Sequence, residues 1–113
     1  MTEEAMESII TELVVIGGNG RSKALEAIKA AKVKDFEKAE ALLQESDSFI
    51  SQAHNYQTSY IQDALNAEQD GASGVSLLMV HGQDHLMDAM VVNDLAKEMI
   101  EMYRIIYDIK ENH

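Results

Sequence analysis

The chain has 113 residues, a formal net charge of −11 and an apolar fraction of 46%. Its length predicts a single domain over residues 1–113, and its apolar content argues against a disordered chain. Because Asp and Glu number 20 against nine Lys and Arg, the chain would repel nucleic acids and anionic membranes, and a partner with a basic face is favoured. Cysteine is absent, which excludes disulfides, thiolate metal sites and cysteine nucleophiles.

The first residues, MTEEAMESII, are acidic where a signal peptide has a basic region. No apolar run reaches the roughly 18 residues that a transmembrane helix needs. We therefore expect a cytoplasmic protein.

The composition predicts an all-α protein. Proline is absent, and Ala, Glu, Leu, Met and Lys, which favour helix, are frequent. Turn signals at 33–35 and 66–74 predict helices at about 3–32, 35–66 and 75–109, with Asp35 as the N-cap of the second. The glycines within 17–20 are expected to kink or split the first helix, or to allow a close helix contact. That stretch lacks the residue order of a nucleotide-binding loop, and no predicted strand precedes it.

The second predicted helix has one apolar stripe, whereas the third has two. The stripe of the second helix consists of Phe36, Ala39, Leu43, Ile50, Ala53, Tyr60 and Ala64, with His54 and Gln57 at its edge. The first stripe of the third helix consists of Leu78, Leu86, Ala89, Val92, Ala96, Met99, Tyr103 and Ile106, and the second of Leu77, Asp84, Asp88, Val91, Leu95 and Met102. One stripe suffices to pack against two helices, so the second predicts a further partner surface. Self-association is favoured over a central position of this helix within a monomer.

Asp84 lies in the second stripe, and no Lys or Arg occurs between Lys38 and Lys97. A carboxylate buried without a partner costs several kcal/mol. Copies of Asp84 that meet on a rotation axis would therefore be protonated or bridged by a cation, and oxygen ligands select a hard ion such as Mg²⁺ or Ca²⁺. The alternative is an exposed Asp84 on a solvated face, and periodicity alone does not decide between the two.

The densest group of reactive side chains is His81-Gly82-Gln83-Asp84-His85. Histidines four residues apart share a helix face and have the spacing of a zinc ligand pair. However, Gly82 stands where a metalloprotease has its glutamate, and the Glu-x-x-His pairs of a di-iron bundle are missing. A second interpretation is a nucleophilic histidine that attacks a phosphoryl group, with Gln83 and His85 donating hydrogen bonds to its oxygens. A third is a pair of surface histidines, and the spacing leaves all three open.

The segment 77–87 (LLMVHGQDHLM) closely resembles the signature of the enzyme IIA components of the bacterial phosphotransferase system, lactose/cellobiose type. Residues 19–27 (NGRSKALEA) and 53–58 (AHNYQT) are similar to further segments of that family, so the resemblance covers nearly the whole chain. It implies an antiparallel up-down three-helix bundle that assembles as a homotrimer. It also implies a phosphotransferase with a phosphohistidine intermediate.

The resemblance implies a role for each residue of the motif. His81 would accept a phosphoryl group on Nε2 from the phosphocarrier HPr and pass it to a cognate IIB component, which serves a membrane IIC during uptake of a β-linked disaccharide. Asp84 would match the aspartate of a metal site that three subunits share, with Mg²⁺ as the ion. We expect Gln83 and His85 to stabilise the phosphoryl group. The competing hypothesis is a non-enzymatic metal-binding or regulatory bundle with His81, Asp84 and His85 as ligands.

Overall fold

The structure is a computed structural model that describes residues 3–69 and 77–112. It contains three helices: α1 (Glu3–Lys32), α2 (Phe36–Gln69) and α3 (Leu77–Glu111). They form an up-down bundle with extents of 67 × 18 × 18 Å. The all-α three-helix architecture and the bounds of the first helix are confirmed. The second helix runs three residues past its predicted end at 66, and the third runs two residues past its predicted end at 109. Residues 70–76, which include most of the last predicted turn and the predicted start of the third helix, lie outside the described residues. None of the three helices has both the length and the apolarity to cross a membrane.

The turn between α1 and α2 lies beside the C-terminal end of α3. The backbone N–H of Lys38 donates to Asp35 Oδ1 at 3.2 Å, which confirms the predicted N-cap. Lys34 has a φ of 68°, the left-handed conformation that commonly ends a helix. The Tyr107 hydroxyl donates to the Lys32 carbonyl oxygen at 2.6 Å. The N-terminal turns of α3 therefore lie at the opposite end of the bundle.

The glycines of α1 allow close approach to both neighbouring helices. α1 is one helix through Gly17 and Gly20, so it is not split in two and forms no phosphate-binding loop. A Cβ built on Gly17 would lie 3.5 Å from the carbonyl oxygen of His85, and one on Gly20 would lie 3.1 Å from Ile50 Cγ1. The expected close helix contact is confirmed, and it seats α1 directly behind the first turns of α3.

The core follows one stripe on each helix. The predicted α2 stripe is buried or partly buried at Phe36, Ala39, Leu43, Ile50, Ala53 and Tyr60, and the side chain of Ala64 lies outside the described residues. The buried face of α3 consists of Gly82, Leu86, Ala89, Asn93, Ala96 and Ile100. The first predicted stripe of α3 is thus wrong for Leu78, Met99 and Ile106, which are 44%, 39% and 51% exposed. The buried residues repeat every three or four positions and include a glycine and an asparagine, which an apolar pattern does not register.

A buried polar cluster joins the three helices near their middle. The Asn93 amide donates to Ser46 Oγ at 2.8 Å and to Asp47 Oδ1 at 3.0 Å, and Ser46 Oγ donates to the Gly20 carbonyl oxygen at 2.7 Å. Lys97 Nζ lies 3.0 Å from Asp47 Oδ1. Because buried polar groups must keep their partners, this cluster favours a single register of the helices.

Candidate functional site

His81 and His85, which the sequence predicts as site residues, lie together on the first turns of α3. The ring centroids of His81 and His85 are 4.6 Å apart, and the ring planes are nearly perpendicular at 81°. His81 is exposed, whereas His85 is partly buried. The arrangement leaves the His81 ring open to a visiting protein while His85 packs against it edge to face.

Gly82 brings α1 close beneath this pair. It is buried, and a Cβ at this position would lie 3.1 Å from Ile10 Cγ2. A side chain at this position would be closer to Ile10 than an ordinary contact, so the glycine allows α1 and α3 to pack closely on this side of α3. As a consequence, His81 faces outward beside an open groove of about 570 Å³ that is lined by Leu77, Leu78, Val80, His81 and Asp84.

Gln83 lies on another side of α3. At about 100° per residue, positions 81 and 83 are separated by about 160° around the helix axis, so Gln83 faces α2 instead of the His81 ring. There the Gln57 amide nitrogen Nε2 donates to Gln83 Oε1 at 2.5 Å, and both side chains are partly buried. Within one chain, His81 is therefore brought together with His85 but not with Gln83.

The sequence places Gln57 at the edge of the α2 stripe but indicates no role for it. It follows Ala53 by one helical turn and precedes Tyr60 by another, and both of these residues are buried. An amide side chain on the same helix face as two buried residues indicates a hydrogen-bond partner inside the bundle. His54, in contrast, is exposed.

Asp84 lies at the centre of an apolar surface stripe that the chain does not cover. We call this surface the exposed stripe. It consists of Leu77, Val80, Met87, Val91, Leu95, Met99, Met102, Ile105, Ile106 and Ile109. At about 100° per residue, all of these positions fall within about 60° of Asp84 around the helix axis. Monomeric proteins rarely expose a continuous apolar surface of this length. The second predicted stripe is therefore available to a partner.

The described residues of one chain form no metal site. Over residues 3–69 and 77–112, no three His, Asp or Glu side chains gather closely enough to hold a metal ion. This includes His81, Asp84 and His85, the ligand set of the competing hypothesis. Asp84 itself is exposed in the single chain, which both alternatives for it allow.

Charge is segregated along the bundle. All nine Lys and Arg lie within residues 21–38 and 97–110, towards the α1–α2 turn. The described segments around His81, which are 3–20, 50–69 and 77–90, contain Asp and Glu but no Lys or Arg. The end of the bundle that carries His81 therefore has a negative potential.

The cations at the far end are largely compensated. Lys23 Nζ lies 3.5 Å from Glu26 and 3.4 Å from Glu45, and these carboxylates raise the pKa of Lys23. Arg104 pairs with Glu40 at 2.8 Å. The far end is thus a mixed surface of both signs, unlike the end with His81.

The sequence matches a known family over most of its length. Residues 8–104 match the family model for the PTS system, lactose/cellobiose specific IIA subunit. The chain is 50% identical over 103 residues to the lichenan-specific phosphotransferase enzyme IIA component of Bacillus subtilis (strain 168), covering 91% of each chain. It is 41% identical over 104 residues to the PTS system lactose-specific EIIA component of Staphylococcus aureus (strain N315), covering 92% of this chain and 98% of that relative.

Solved structures show the same fold. The PTS cellobiose-specific enzyme IIA from Bacillus anthracis superimposes with a TM-score of 0.82 at 36% identity, covering 96% of this chain and 94% of the other. The IIA(Chitobiose) chain of an Escherichia coli IIA(Chitobiose)–HPr complex gives a TM-score of 0.72 at 30% identity, covering 95% and 99%. The chain therefore belongs to the lactose/cellobiose-specific IIA family of the phosphotransferase system, and it is a phosphotransferase that acts through a phosphohistidine.

Proposed function

We propose that this chain accepts a phosphoryl group from HPr on His81 Nε2 and passes it, in the cytoplasm, to a cognate IIB component that serves a membrane IIC. The transfer would support uptake of a β-linked disaccharide. The observation that carries the proposal is the exposed His81 ring, packed against His85 at the acidic end of the bundle. A relative of the same fold was solved in a complex with HPr.

The chemistry is an in-line transfer between histidine nitrogens of two docked proteins. The Nε2 lone pair of neutral His81 bonds to phosphorus while the bond from phosphorus to the donor nitrogen breaks. The donor histidine, whose second ring nitrogen carries a proton, leaves as a neutral imidazole. A nucleophile of IIB then bonds to the phosphorus while the phosphorus–Nε2 bond breaks, which returns His81 to its free form. Such a reaction needs positioning and charge stabilisation more than covalent machinery. His85 is suited to hold the His81 ring or to donate an N–H to a phosphoryl oxygen.

The proposal includes a homotrimer in which the exposed stripes of three copies of α3 pack around a three-fold axis. The stripe runs along almost the whole of this 35-residue helix, and burying it would remove a large apolar area from water. Relative to Asp84 at the centre of the stripe, His81 and Gln83 lie on opposite flanks of the helix. Three-fold packing sets one flank of each copy against the other flank of the next. Gln83 would then approach His81 of the neighbouring chain and stabilise its phosphoryl group.

Asp84 from three copies would converge at the axis, and we propose that one Mg²⁺ is held there. The residues fit this ion, because carboxylate oxygens are hard ligands and no Lys or Arg occurs in 39–96 to neutralise them. When bound, Mg²⁺ supplies positive charge that offsets the repulsion among the carboxylates. It has no role in the transfer step, in which His81 is the nucleophile.

The proposed activity is tested by incubating the chain with phosphoenolpyruvate, enzyme I and HPr. We expect intact-mass spectrometry at neutral pH to show a gain of one phosphoryl group per chain, which is lost in acid and requires HPr. Subsequent addition of a IIB component of this family should remove it. A chain that binds a divalent metal but gains no phosphoryl group would instead support the competing hypothesis of a regulatory bundle.

Phosphoryl uptake should slow as salt is added. The end of the bundle that carries His81 has a negative potential, so it attracts a partner with a basic face, and salt screens that attraction. We expect the second-order rate constant of uptake from HPr to fall about tenfold between low salt and about 0.5 M NaCl, measured by rapid-quench kinetics.

Two substitutions that change the net charge by the same amount test whether the position of the acidic residues affects the rate of phosphoryl uptake. Glu12 lies at the His81 end and Glu101 at the far end, and both are exposed. We expect Glu12→Lys to slow uptake from HPr more than Glu101→Lys does. Equal effects of the two changes, or a rate that does not depend on salt, would contradict electrostatic attraction by the His81 end.

A further inference from the structure

We propose that Gln57 is a positioning residue for phosphoryl transfer. By donating a hydrogen bond to Gln83 Oε1, it fixes the orientation of the Gln83 amide so that the NH₂ group of Gln83 faces the phosphoryl group. This inference rests on the function proposed above, in which Gln83 stabilises that group. Gln57 itself touches neither the phosphoryl group nor the His81 ring.

The first support is where Gln57 lies. It sits on the inward line of α2, one turn from Ala53 and one turn from Tyr60, which are 0% and 1% exposed. An apolar side chain would pack at such a position without the desolvation cost of an amide. Its bond to Gln83 joins α2 and α3 across 26 residues of sequence and has a donor–acceptor distance of 2.5 Å. The pair is therefore a close, partly buried contact and not an incidental surface encounter.

The second support is the chemistry of the amide group. A side-chain amide has one oxygen that accepts and one NH₂ group that donates, and these groups point in different directions. Because Gln57 occupies the oxygen of Gln83, the NH₂ group is the one left for a further partner. Phosphoryl oxygens only accept hydrogen bonds. An amide turned by half a rotation would present its oxygen to them and would repel them.

The third support is the direction in which Gln83 faces. It lies about 160° around α3 from His81 of the same chain, so the phosphoryl group that it reaches belongs to the adjacent chain of the trimer. The Gln57–Gln83 pair thus lies at the interface between one chain and its neighbour in the proposed trimer.

Three substitutions test the inference. Gln57→Met keeps the length of the side chain but removes the donor, and we expect the rate constant of phosphoryl transfer within the docked complex to fall roughly fivefold. Gln57→Glu can only accept, so it forces Gln83 to turn and donate to it, and the loss should be larger. Thr58→Glu places the same charge on the neighbouring exposed position and should reduce the rate less than Gln57→Glu.

A spectroscopic measurement separates positioning from mere stabilisation of the fold. We expect the side-chain amide ¹H–¹⁵N signals of Gln83 to shift on phosphorylation in the unaltered protein, and to stay in place in Gln57→Glu. The thermal midpoint and the KM for HPr should stay close to those of the unaltered protein in Gln57→Met. Wild-type rates in both Gln57 variants, or Gln83 signals that do not respond to phosphorylation, would overturn this inference and leave phosphorylation of His81 standing. An unaltered chain that takes up no phosphoryl group would overturn the proposed function itself.

Discussion

Replacing His81 with alanine should abolish phosphoryl uptake from HPr. The imidazole of His81 is the proposed nucleophile, and it also carries the phosphoryl group after transfer. No neighbouring side chain can therefore replace it. The exposed ring contributes little to the core, and the variant should fold and assemble like the unaltered chain. Intact-mass spectrometry after incubation with phosphoenolpyruvate, enzyme I and HPr gives the measurement.

His54→Ala is the matched control, because it removes another exposed histidine from a helix of the same bundle. We expect it to take up phosphoryl at the rate of the unaltered chain. His85→Ala should slow uptake about tenfold without abolishing it, since it removes one stabilising donor. A phosphoryl group on the His81→Ala chain would show that the acceptor histidine has been assigned wrongly.

Replacing Val91 with glutamate should dissociate the proposed trimer into monomers. Val91 lies in the exposed stripe and is 53% exposed in the single chain, so the change leaves the core of each chain intact. In the trimer, three added carboxylates would be buried close together, at a cost of several kcal/mol each. Analytical ultracentrifugation at micromolar concentration measures the effect.

Val15→Glu provides a control that is matched in residue type, charge and exposure. Val15 is 52% exposed but lies on α1, outside the exposed stripe. We expect Val15→Glu to keep the oligomeric state of the unaltered chain. If the unaltered chain sediments as a monomer, or if Val91→Glu remains a trimer, the proposed packing of α3 is wrong.

Asp84→Leu should have the opposite effect to Val91→Glu. It replaces a carboxylate at the centre of the exposed stripe with an apolar side chain, which removes the repulsion and makes the stripe continuous. We expect this variant to stay trimeric in EDTA and to bind no Mg²⁺, whereas EDTA should weaken the trimer of the unaltered chain. Dissociation of Asp84→Leu would contradict a convergence of Asp84 at the axis.

The fold could be predicted from the sequence where the signal is local. The absence of proline and the turn at 33–35 indicate the bounds of the first helix, and the Asp35 cap follows from a contact between neighbours in sequence. The inward face of α3 could not be predicted in full, because apolar periodicity does not show that Gly82 and Asn93 point inward. Gly82 is buried for its small size, and Asn93 because Ser46, on another helix, satisfies its amide.

At the candidate site, too, a contact within one helix could be predicted from the sequence, whereas a contact between two helices could not. The pairing of His81 with His85 could be predicted, because residues four apart share a helix face. The contact between Gln57 and Gln83 could not, since it depends on how α2 and α3 are rotated against each other. A sequence lists both amides but does not say which of them meet. Only the packed helices show that Gln83 has a partner on the side away from His81.

The uneven placement of charge has a consequence for how a partner arrives. With every Lys and Arg within 21–38 and 97–110, the bundle has a permanent electric dipole along its 67 Å axis. A basic protein that comes within about one Debye length, roughly 8 Å in physiological salt, exerts a torque on that dipole. The torque turns the chain so that the end with His81 faces the approaching protein before the two surfaces touch. Fewer collisions then occur in wrong orientations, which would suit the proposed role of a carrier with two different partners.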